Sequence, residues 1–185
     1  GKGRTRCAKM ERRCTERGEA SVKKRILLGL ISVFKALYNA VYAVMKLRPM
    51  QKKVVMISRQ SNSQRPDFEQ LGAEIEARDP RARLVYLCRE MGDTPLELLR
   101  YCFHLLHCAA ELSTAHVCII DGYCIPVSVL HHRKELRVVQ VWHALGAIKK
   151  FGRQALSVPG GRDKELAERM GMHKHYDAVL CASHR

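Results

Sequence analysis

The stretch 52-KKVVMIS-58 is a short apolar run that starts on two lysines and leads into the polar loop 59-RQSNSQRP-66. Its central residues are apolar without alternation, which is typical of a strand buried on both faces of a parallel sheet. Beyond the loop, Phe68, Leu71 and Ile75 recur at helical spacing. These residues therefore predict a strand, a loop and a helix, the first unit of an alternating α/β chain.

The same alternation continues to the end of the chain. Further apolar runs predict strands at 83–89, 116–122, 137–142 and 177–183, and helical spacing predicts helices at 95–115, around 126–133 and within 163–176. Five buried strands separated by helices indicate an α/β fold, a Rossmann-like doubly wound parallel sheet, over residues 50–185. No Gly-x-Gly-x-x-Gly motif follows the first strand, so the dinucleotide fingerprint is absent.

The residues before this alternating region are strongly basic. The chain carries a net charge of +15, and residues 1–25 contribute ten basic and three acidic side chains to it. Such a basic N-terminal arm favours a polyanionic partner: an anionic membrane surface, a phosphate-rich polymer or nucleic acid. Only 6% of the residues are aromatic and no base-reading motif appears, so we expect no nucleic-acid partner.

Residues 26–48 follow the arm and predict an amphipathic helix with an unusually large apolar face. The polar residues of its apolar part recur at spacings of three and four, along one stripe: Ser32, Lys35, Asn39, Tyr42 and Lys46. At the centre of a membrane span Lys35 would cost roughly 2.5–3.5 kcal/mol. A helix lying in the membrane interface keeps that lysine in water, so we expect membrane association of this kind. A single span over 26–45 and a helix packed on the protein's own core are the alternatives.

The cysteines give no sign of disulfides or zinc. The chain has eight of them without a Cys-x-x-Cys pair. Cys88, Cys118 and Cys181 fall inside apolar runs, which predicts reduced and mostly buried thiols. His173 and His175, near Cys181, lack the usual spacing of zinc ligands. We therefore predict no metal site and no cofactor.

Polar residues follow three of the predicted strands, at the edge where open parallel sheets bind ligands. The candidate site residues are Ser58, Arg59, Asp121, Gly122, Trp142, His143, Lys149 and Lys150. The arginine and the lysines suit phosphate oxygens, and the carboxylate of Asp121 suits a hydroxyl or the orientation of a histidine. His143 suits a general base, because the ordinary pKa of imidazole lies near neutral pH. The histidines without this placement are expected to be structural: His104, His107, His131 and His132.

Three segments of the chain resemble one known family. The segment 141-VWHALGAIKKFG-152 resembles the Trp-His-Gly-x-x-x-Lys-Lys-x-Gly segment of the CDP-glycerol glycerophosphotransferase family, which builds teichoic-acid-type polymers. Residues 57–71 and 116–123 resemble the first-strand loop and the third-strand end of the same family. The resemblance runs from about residue 52 to residue 183, with one departure: Ala144 stands where the family has glycine.

The resemblance implies the N-terminal half of a two-domain GT-B transferase, with its active site in the cleft between the halves. Members transfer glycerol phosphate or ribitol phosphate from a CDP-alcohol to a polymer hydroxyl, as peripheral proteins at the cytoplasmic face of the cell membrane. The family's histidine maps onto His143, which implies a base for the acceptor hydroxyl, and Lys149 and Lys150 map onto phosphate contacts. The chain starts without Met and stops after a predicted strand, so we expect a fragment that is inactive without its second half.

Two other classes of function remain open at this point. A different GT-B glycosyltransferase would share the sheet and transfer a sugar, and a non-enzymatic module would dock on anionic membrane through its basic arm. The Trp-His segment with its lysines favours the first reading, because a phosphate-rich acceptor needs cations at the cleft. The expected partners are therefore a CDP-alcohol, a polyanionic polymer acceptor and an anionic membrane surface.

Overall fold

The computed structural model describes residues 2–141 and 163–180, with side chains from Val22 onward. Trp142, His143, Lys149 and Lys150 lie outside the described residues. The helices are α1 (Lys2–Met45), α2 (Pro66–Arg78), α3 (Pro95–Leu112), α4 (Ile125–Val129) and α5 (Lys164–Arg169). The strands are β1 (Lys53–Ser58), β2 (Arg83–Cys88), β3 (Val117–Ile120), β4 (Arg137–Gln140) and β5 (Ala178–Val179).

The five strands form one parallel sheet in the order β2-β1-β3-β4-β5. Val54 of β1 pairs with Leu84 of β2 on one side and with Val117 of β3 on the other. The predicted α/β fold with a Rossmann-like parallel sheet is thereby confirmed. The chain leaves β1 towards β2, then returns past β1 to β3, so the direction of winding reverses between β1 and β3.

Different helices cover the two faces of the sheet, because successive strand residues point to opposite sides. Val55 and Ile57 belong to a core cluster shared with α1, α3 and α4. Val54 and Met56 belong to a second cluster that contains Phe68 of α2. All six residues of β1 are buried, so this strand reads as a continuous apolar run and not as an alternation.

Local sequence signals account for where the helices start. Proline occupies the first turn of α2, α3 and α4, where its missing N–H leaves no hydrogen bond unmade. Thr94 and Glu97 form a capping box at the start of α3. In α2, a Cβ on Gly72 would overlap the Tyr86 hydroxyl, so glycine allows this helix to lie close to β2.

Helix α1 contains both the basic arm and the apolar segment, and its polar stripe does not face water as expected. The Lys35 ammonium donates to the Arg169 carbonyl at 2.8 Å. The Asn39 amide donates to the Val129 carbonyl at 3.0 Å and accepts from the His131 main-chain N–H at 2.8 Å. These side chains satisfy main-chain groups in the loops beneath the helix, and for that reason the polar stripe turns inward.

The outward face of α1 is apolar. Tyr38 and Tyr42 are buried against the domain, so the helix packs on the protein's own core through one side. Residues on the other side are exposed to solvent: Ile26, Leu30, Val33, Leu37, Val41 and Val44. Within the described ranges one helical stretch, Val22–Met45, is long and apolar enough to cross a membrane, and 17% of its apolar window is buried. Helix α1 thus combines core packing with an unpartnered apolar face.

The described cysteines are free thiols. Cys108, Cys118 and Cys124 are buried where α3, β3 and the start of α4 meet. Burial raises the pKa of the Cys108 and Cys118 thiols well above the ordinary value and that of Cys124 to about 12. Such thiols stay protonated and unreactive at neutral pH, as the sequence predicts for buried cysteines. Cys181 lies outside the described residues.

Candidate functional site

A crevice is expected at the carboxyl ends of β1 and β3, where the winding of the sheet reverses. The loops that follow two such neighbouring strands leave in opposite directions, and open α/β sheets bind their ligands in the gap between these loops. Ser58 is the last residue of β1, and Asp121 directly follows β3. The sheet therefore brings together the residues that the sequence singled out at these two strand ends.

Ser58 and Asp121 are joined directly across this gap. The Ser58 hydroxyl donates to the Asp121 carboxylate at 2.6 Å and accepts from the main-chain N–H of Gln60 at 3.1 Å. Both residues are buried, with 0% and 4% of their surface exposed. A carboxylate held this tightly braces the two strand ends, so Asp121 has less freedom to serve as a mobile ligand for a hydroxyl.

Arg65 is a cation at this site that sequence reasoning missed. Its guanidinium lies between two carboxylates, 3.5 Å from Asp121 and 3.0 Å from Asp67, and its side chain is 23% exposed. It ends the loop that begins after β1, immediately before Pro66. Its position in the loop after a strand could have indicated a site residue. The sequence does not show, however, that this loop folds back and brings Arg65 next to Asp121.

Arg59 reaches across to the loop after β3. Its guanidinium donates to the Tyr123 carbonyl at 3.3 Å and lies 5.8 Å from the centroid of the Tyr123 ring, within the range of a cation–π contact. Its Nε is buried and has no hydrogen-bond partner among the described residues. An arginine with unused donor capacity is suited to an anion, because the planar guanidinium can bind two oxygens at once.

Gly122 lies beside the Gln60 side chain. A Cβ at Gly122 would meet the Gln60 Nε2 atom at 3.6 Å, an ordinary van der Waals distance. A larger residue therefore fits here, and the space available does not explain the glycine. Its assignment to substrate binding remains a prediction.

The end of β4 reaches the same edge of the sheet. Gln140 pairs with Ile120, and the main-chain N–H of Val141 donates to the Ile120 carbonyl at 2.8 Å. Val141 is the last described residue before position 163. The roles predicted for Trp142, His143, Lys149 and Lys150 therefore lie outside the described residues and remain predictions.

Two of the histidines expected to be structural have partners inside the fold. His132 Nε2 donates to the Val127 carbonyl at 3.0 Å, so its Nδ1 accepts from the Tyr42 hydroxyl, also at 3.0 Å. Burial lowers the pKa of His132 to about 4. Burial, with Arg89 nearby, lowers the pKa of His104 to about 4 as well. Both imidazoles are neutral at physiological pH.

The described residues hold no cluster of three or more His, Cys, Asp or Glu side chains that could bind a metal ion. The charged groups described at the crevice are Arg59, Arg65, Asp67 and Asp121. Arg65 is paired with both carboxylates, whereas Arg59 is hydrogen-bonded to a main-chain carbonyl and keeps unused donor capacity. Arg59 is therefore the described cation best suited to receive an anionic group and to stabilise negative charge.

Comparison with known families identifies the family of this chain. The profile of the family described as CDP-glycerol:poly(glycerophosphate) glycerophosphotransferase matches residues 40–185, which is most of the chain. The chain belongs to this family. The match includes β1, β3 and both loops that carry the Ser58–Asp121 pair. The resemblance seen in the Trp-His segment is thus confirmed at the level of the family.

The curated relatives of this glycerophosphotransferase-family chain are enzymes of teichoic acid synthesis. It is 29% identical over 155 residues to the teichoic acid ribitol-phosphate primase of Bacillus spizizenii, and the aligned region covers 83% of this chain and 40% of that protein. It is 25% identical over 149 residues to the teichoic acid poly(ribitol-phosphate) polymerase of the same organism, covering 80% and 23%. It is 30% identical over 80 residues to the teichoic acid glycerol-phosphate primase of Bacillus subtilis, covering 43% and 21%. The chain spans 40% or less of the length of each of these relatives.

Proposed function

We propose that this chain is the N-terminal, Rossmann-like domain of a transferase that moves glycerol phosphate or ribitol phosphate from a CDP-alcohol to a hydroxyl of a teichoic-acid-like polymer. The observation that carries the proposal is the family match over a sheet edge that presents Arg59 and Arg65 beside the Ser58–Asp121 brace. The names of the relatives support both alcohols.

The proposed reaction is an in-line displacement at phosphorus. The acceptor hydroxyl attacks the phosphorus that carries the alcohol, a new P–O bond forms, the bond to the cytidine phosphate breaks and CMP leaves. The proton of the attacking hydroxyl passes to a base, the role we assign to His143. The remaining demands are alignment and stabilisation of charge on the phosphoryl oxygens, which suit Arg59 with Lys149 and Lys150.

The histidine assignment is tested in a longer protein that contains this domain followed by its C-terminal half. We expect His143→Ala to lower transfer from CDP-glycerol or CDP-ribitol by about 10²- to 10⁴-fold, the usual contribution of a general base. The matched control is His107→Ala, since His107 lies on α3 with its side chain 58% exposed. Near-normal turnover of the His143 variant would exclude this histidine as the base.

We further propose that the domain works as a peripheral protein on the cytoplasmic face of the cell membrane. The exposed apolar face of α1 supports this location, and so do the basic residues that flank the apolar part of the chain at 23–25 and at 46 and 48, since cations next to an apolar helix face favour anionic lipid. The inward polar stripe favours an interfacial position, because Lys35 and Asn39 are already engaged with the domain. A single span would have to release them.

This location is tested by substitution and not by deletion, since removal of α1 would expose the core around Tyr38 and Tyr42. Leu30, Leu37 and Val44 are 62%, 64% and 67% exposed, so their joint replacement by Gln leaves the core intact. We expect this variant to lose most of its co-sedimentation with vesicles that contain phosphatidylglycerol, at unchanged thermal stability. The comparison is repeated in about 0.5 M salt, because at this concentration surface charges are screened within a few ångströms. If the variant still co-sediments like the unchanged protein, this face of α1 does not enter the bilayer.

A further inference from the structure

A cavity lies at the amino edge of the sheet, the edge opposite to the expected strand-end crevice. Its volume is about 300 Å³. Residues 131–134, between α4 and β4, line one side, and residues 175–177, just before β5, line another. Leu136 and Val138 also line it. This cavity does not belong to the site at Ser58 and Asp121, because those residues lie at the carboxyl ends of the strands and the cavity lies at their amino ends.

The lining of this amino-edge cavity is cationic. Arg133 and Lys134 carry positive charge, and the carboxylate in the lining, Asp177, is already engaged. It accepts from the main-chain N–H of Val138 at 2.7 Å and from Arg137 at 3.2 Å. Lys134 is exposed and has no ion pair or hydrogen bond within the described part of the chain. The cavity therefore offers a cation without a counter-charge.

The walls of the cavity are held in place by hydrogen bonds to other elements. The Arg133 guanidinium donates to the main-chain carbonyls of Lys46 and Arg48, just after the end of α1. The adjacent His132 imidazole is fixed between the Tyr42 hydroxyl and a main-chain carbonyl, as described above. A cationic wall anchored in this way is preorganised, which lowers the entropic cost of binding a ligand.

The turn before β5 contains two residues other than glycine with a positive φ. His173 and His175 have φ values of 57° and 66°, in the left-handed region, and His175 lines the cavity. Residues other than glycine occupy this region uncommonly, and such strained positions concentrate at ligand-binding sites. His175 is exposed and lines the cavity together with Lys134.

We propose that the amino-edge cavity is a binding site for a phosphate group, as a phosphomonoester or a phosphodiester. Arg133, Lys134 and the His175 imidazole supply donors for phosphate oxygens, and 300 Å³ is the size of a small-molecule site with room for one phosphate and a short alcohol. This site does not depend on the proposed transferase function. The phosphate can come from a soluble ester or polymer, or from a lipid headgroup, since Arg133 ties the cavity to the end of α1.

The experiment is a titration of the full 185-residue chain with sn-glycerol 3-phosphate, followed through the NMR signals of the histidine rings. Glycerol is the neutral control ligand. We expect saturable shifts of the His175 signals, which report on this cavity even if the ester also binds at the strand-end crevice. Lys134→Ala and His175→Asn are each expected to weaken binding about three- to tenfold, the worth of one partly exposed hydrogen bond to a charged group. Binding to His175→Asn is followed through the ring signals of His131 and His132, which line the same cavity. Asparagine is chosen because it tolerates a positive φ.

Lys164→Ala is the matched control for charge, because Lys164 is an exposed lysine outside the cavity. A lipid arm repeats the comparison with vesicles of phosphatidylglycerol in phosphatidylcholine. Shifts of His175 with the soluble ester identify a free phosphate as sufficient. Shifts that arise with vesicles alone, and that weaken in Lys134→Ala but not in Lys164→Ala, identify the headgroup. The proposal is overturned if neither probe moves the His175 signals, or if the cavity variants bind like the control.

Discussion

Replacing Ser58 by Ala tests whether the Ser58–Asp121 contact holds the strand-end crevice together. The change removes a 2.6 Å hydrogen bond to a carboxylate that is 5% exposed and a 3.1 Å bond from the Gln60 N–H. A buried hydrogen bond to a charged group is worth about 1.5–3 kcal/mol. Gln60 is exposed, so water can replace its lost partner at little cost. We therefore expect Ser58→Ala to lower the free energy of unfolding by about 1.5–3 kcal/mol.

The measurement is urea unfolding of the full chain, with the midpoint and the m-value fitted separately. Ser61→Ala is the control, because Ser61 lies in the loop that follows Ser58 and its hydrogen bonds to Ser63 are solvent-exposed. Its cost should stay below about 0.5 kcal/mol, as for most surface substitutions. If Ser58→Ala costs no more than Ser61→Ala, the contact with Asp121 does not brace the two strand ends, and the reasoning about the crevice fails.

Two further predictions concern the sheet and the helices next to it. The Lys53 ammonium, 2% exposed, donates to Glu111 at 2.7 Å. Burial opposes the ionisation of Glu111, but the bond from Lys53 outweighs it and lowers the pKa of Glu111 below 4.5. The stability that the Glu111 carboxylate contributes is present above pH 4.5 and is lost as the pH falls through its lower folded-state pKa. Glu111→Gln should therefore lower the free energy of unfolding by about 3 kcal/mol at pH 7 and by less in unfolding titrations at acid pH, and a pH-independent loss would contradict this. Gly72→Ala should cost about 1–3 kcal/mol by overpacking against the Tyr86 hydroxyl, and thermal unfolding of Gly72→Ala in a Tyr86→Phe background should show most of that cost removed; an equal cost in both backgrounds would refute the overlap.

The parallel sheet could be predicted because its evidence is local and repeated. Each strand buried on two faces requires apolar residues without alternation, as in β1, and the connecting helices show their own spacing and caps. The short elements were less predictable. Of the strand predicted at 177–183, the part within the described residues, which end at 180, is observed as Ala178–Val179. The helix predicted within 163–176 is observed as Lys164–Arg169. Such ends are set by tertiary hydrogen bonds, which leave little trace in a short window of sequence.

Helix α1 shows where the sequence is ambiguous in principle. The stripe from Ser32 to Lys46 predicts an amphipathic helix correctly, but periodicity does not say whether the polar side faces water or the protein. The structure turns it inward because main-chain groups of Val129, His131 and Arg169 need partners there. Arg65 was missed for a related reason, since its approach to Asp121 depends on how the loop after β1 folds back.

The sequence alone determined the order and type of the β-strands and α-helices and the family. It also determined that Ser58, Arg59 and Asp121 lie at strand ends. Burial of strands and spacing of helices are properties of neighbouring residues, and any chain with this pattern carries them. The tertiary structure decided three other features: the pairing of Ser58 with Asp121 across 63 positions, the inward polar stripe of α1 and the cationic cavity at the amino edge. Each of these depends on which distant main-chain or charged group arrives opposite a side chain, and hydrogen bonds between residues far apart in sequence form only when the whole sheet is assembled.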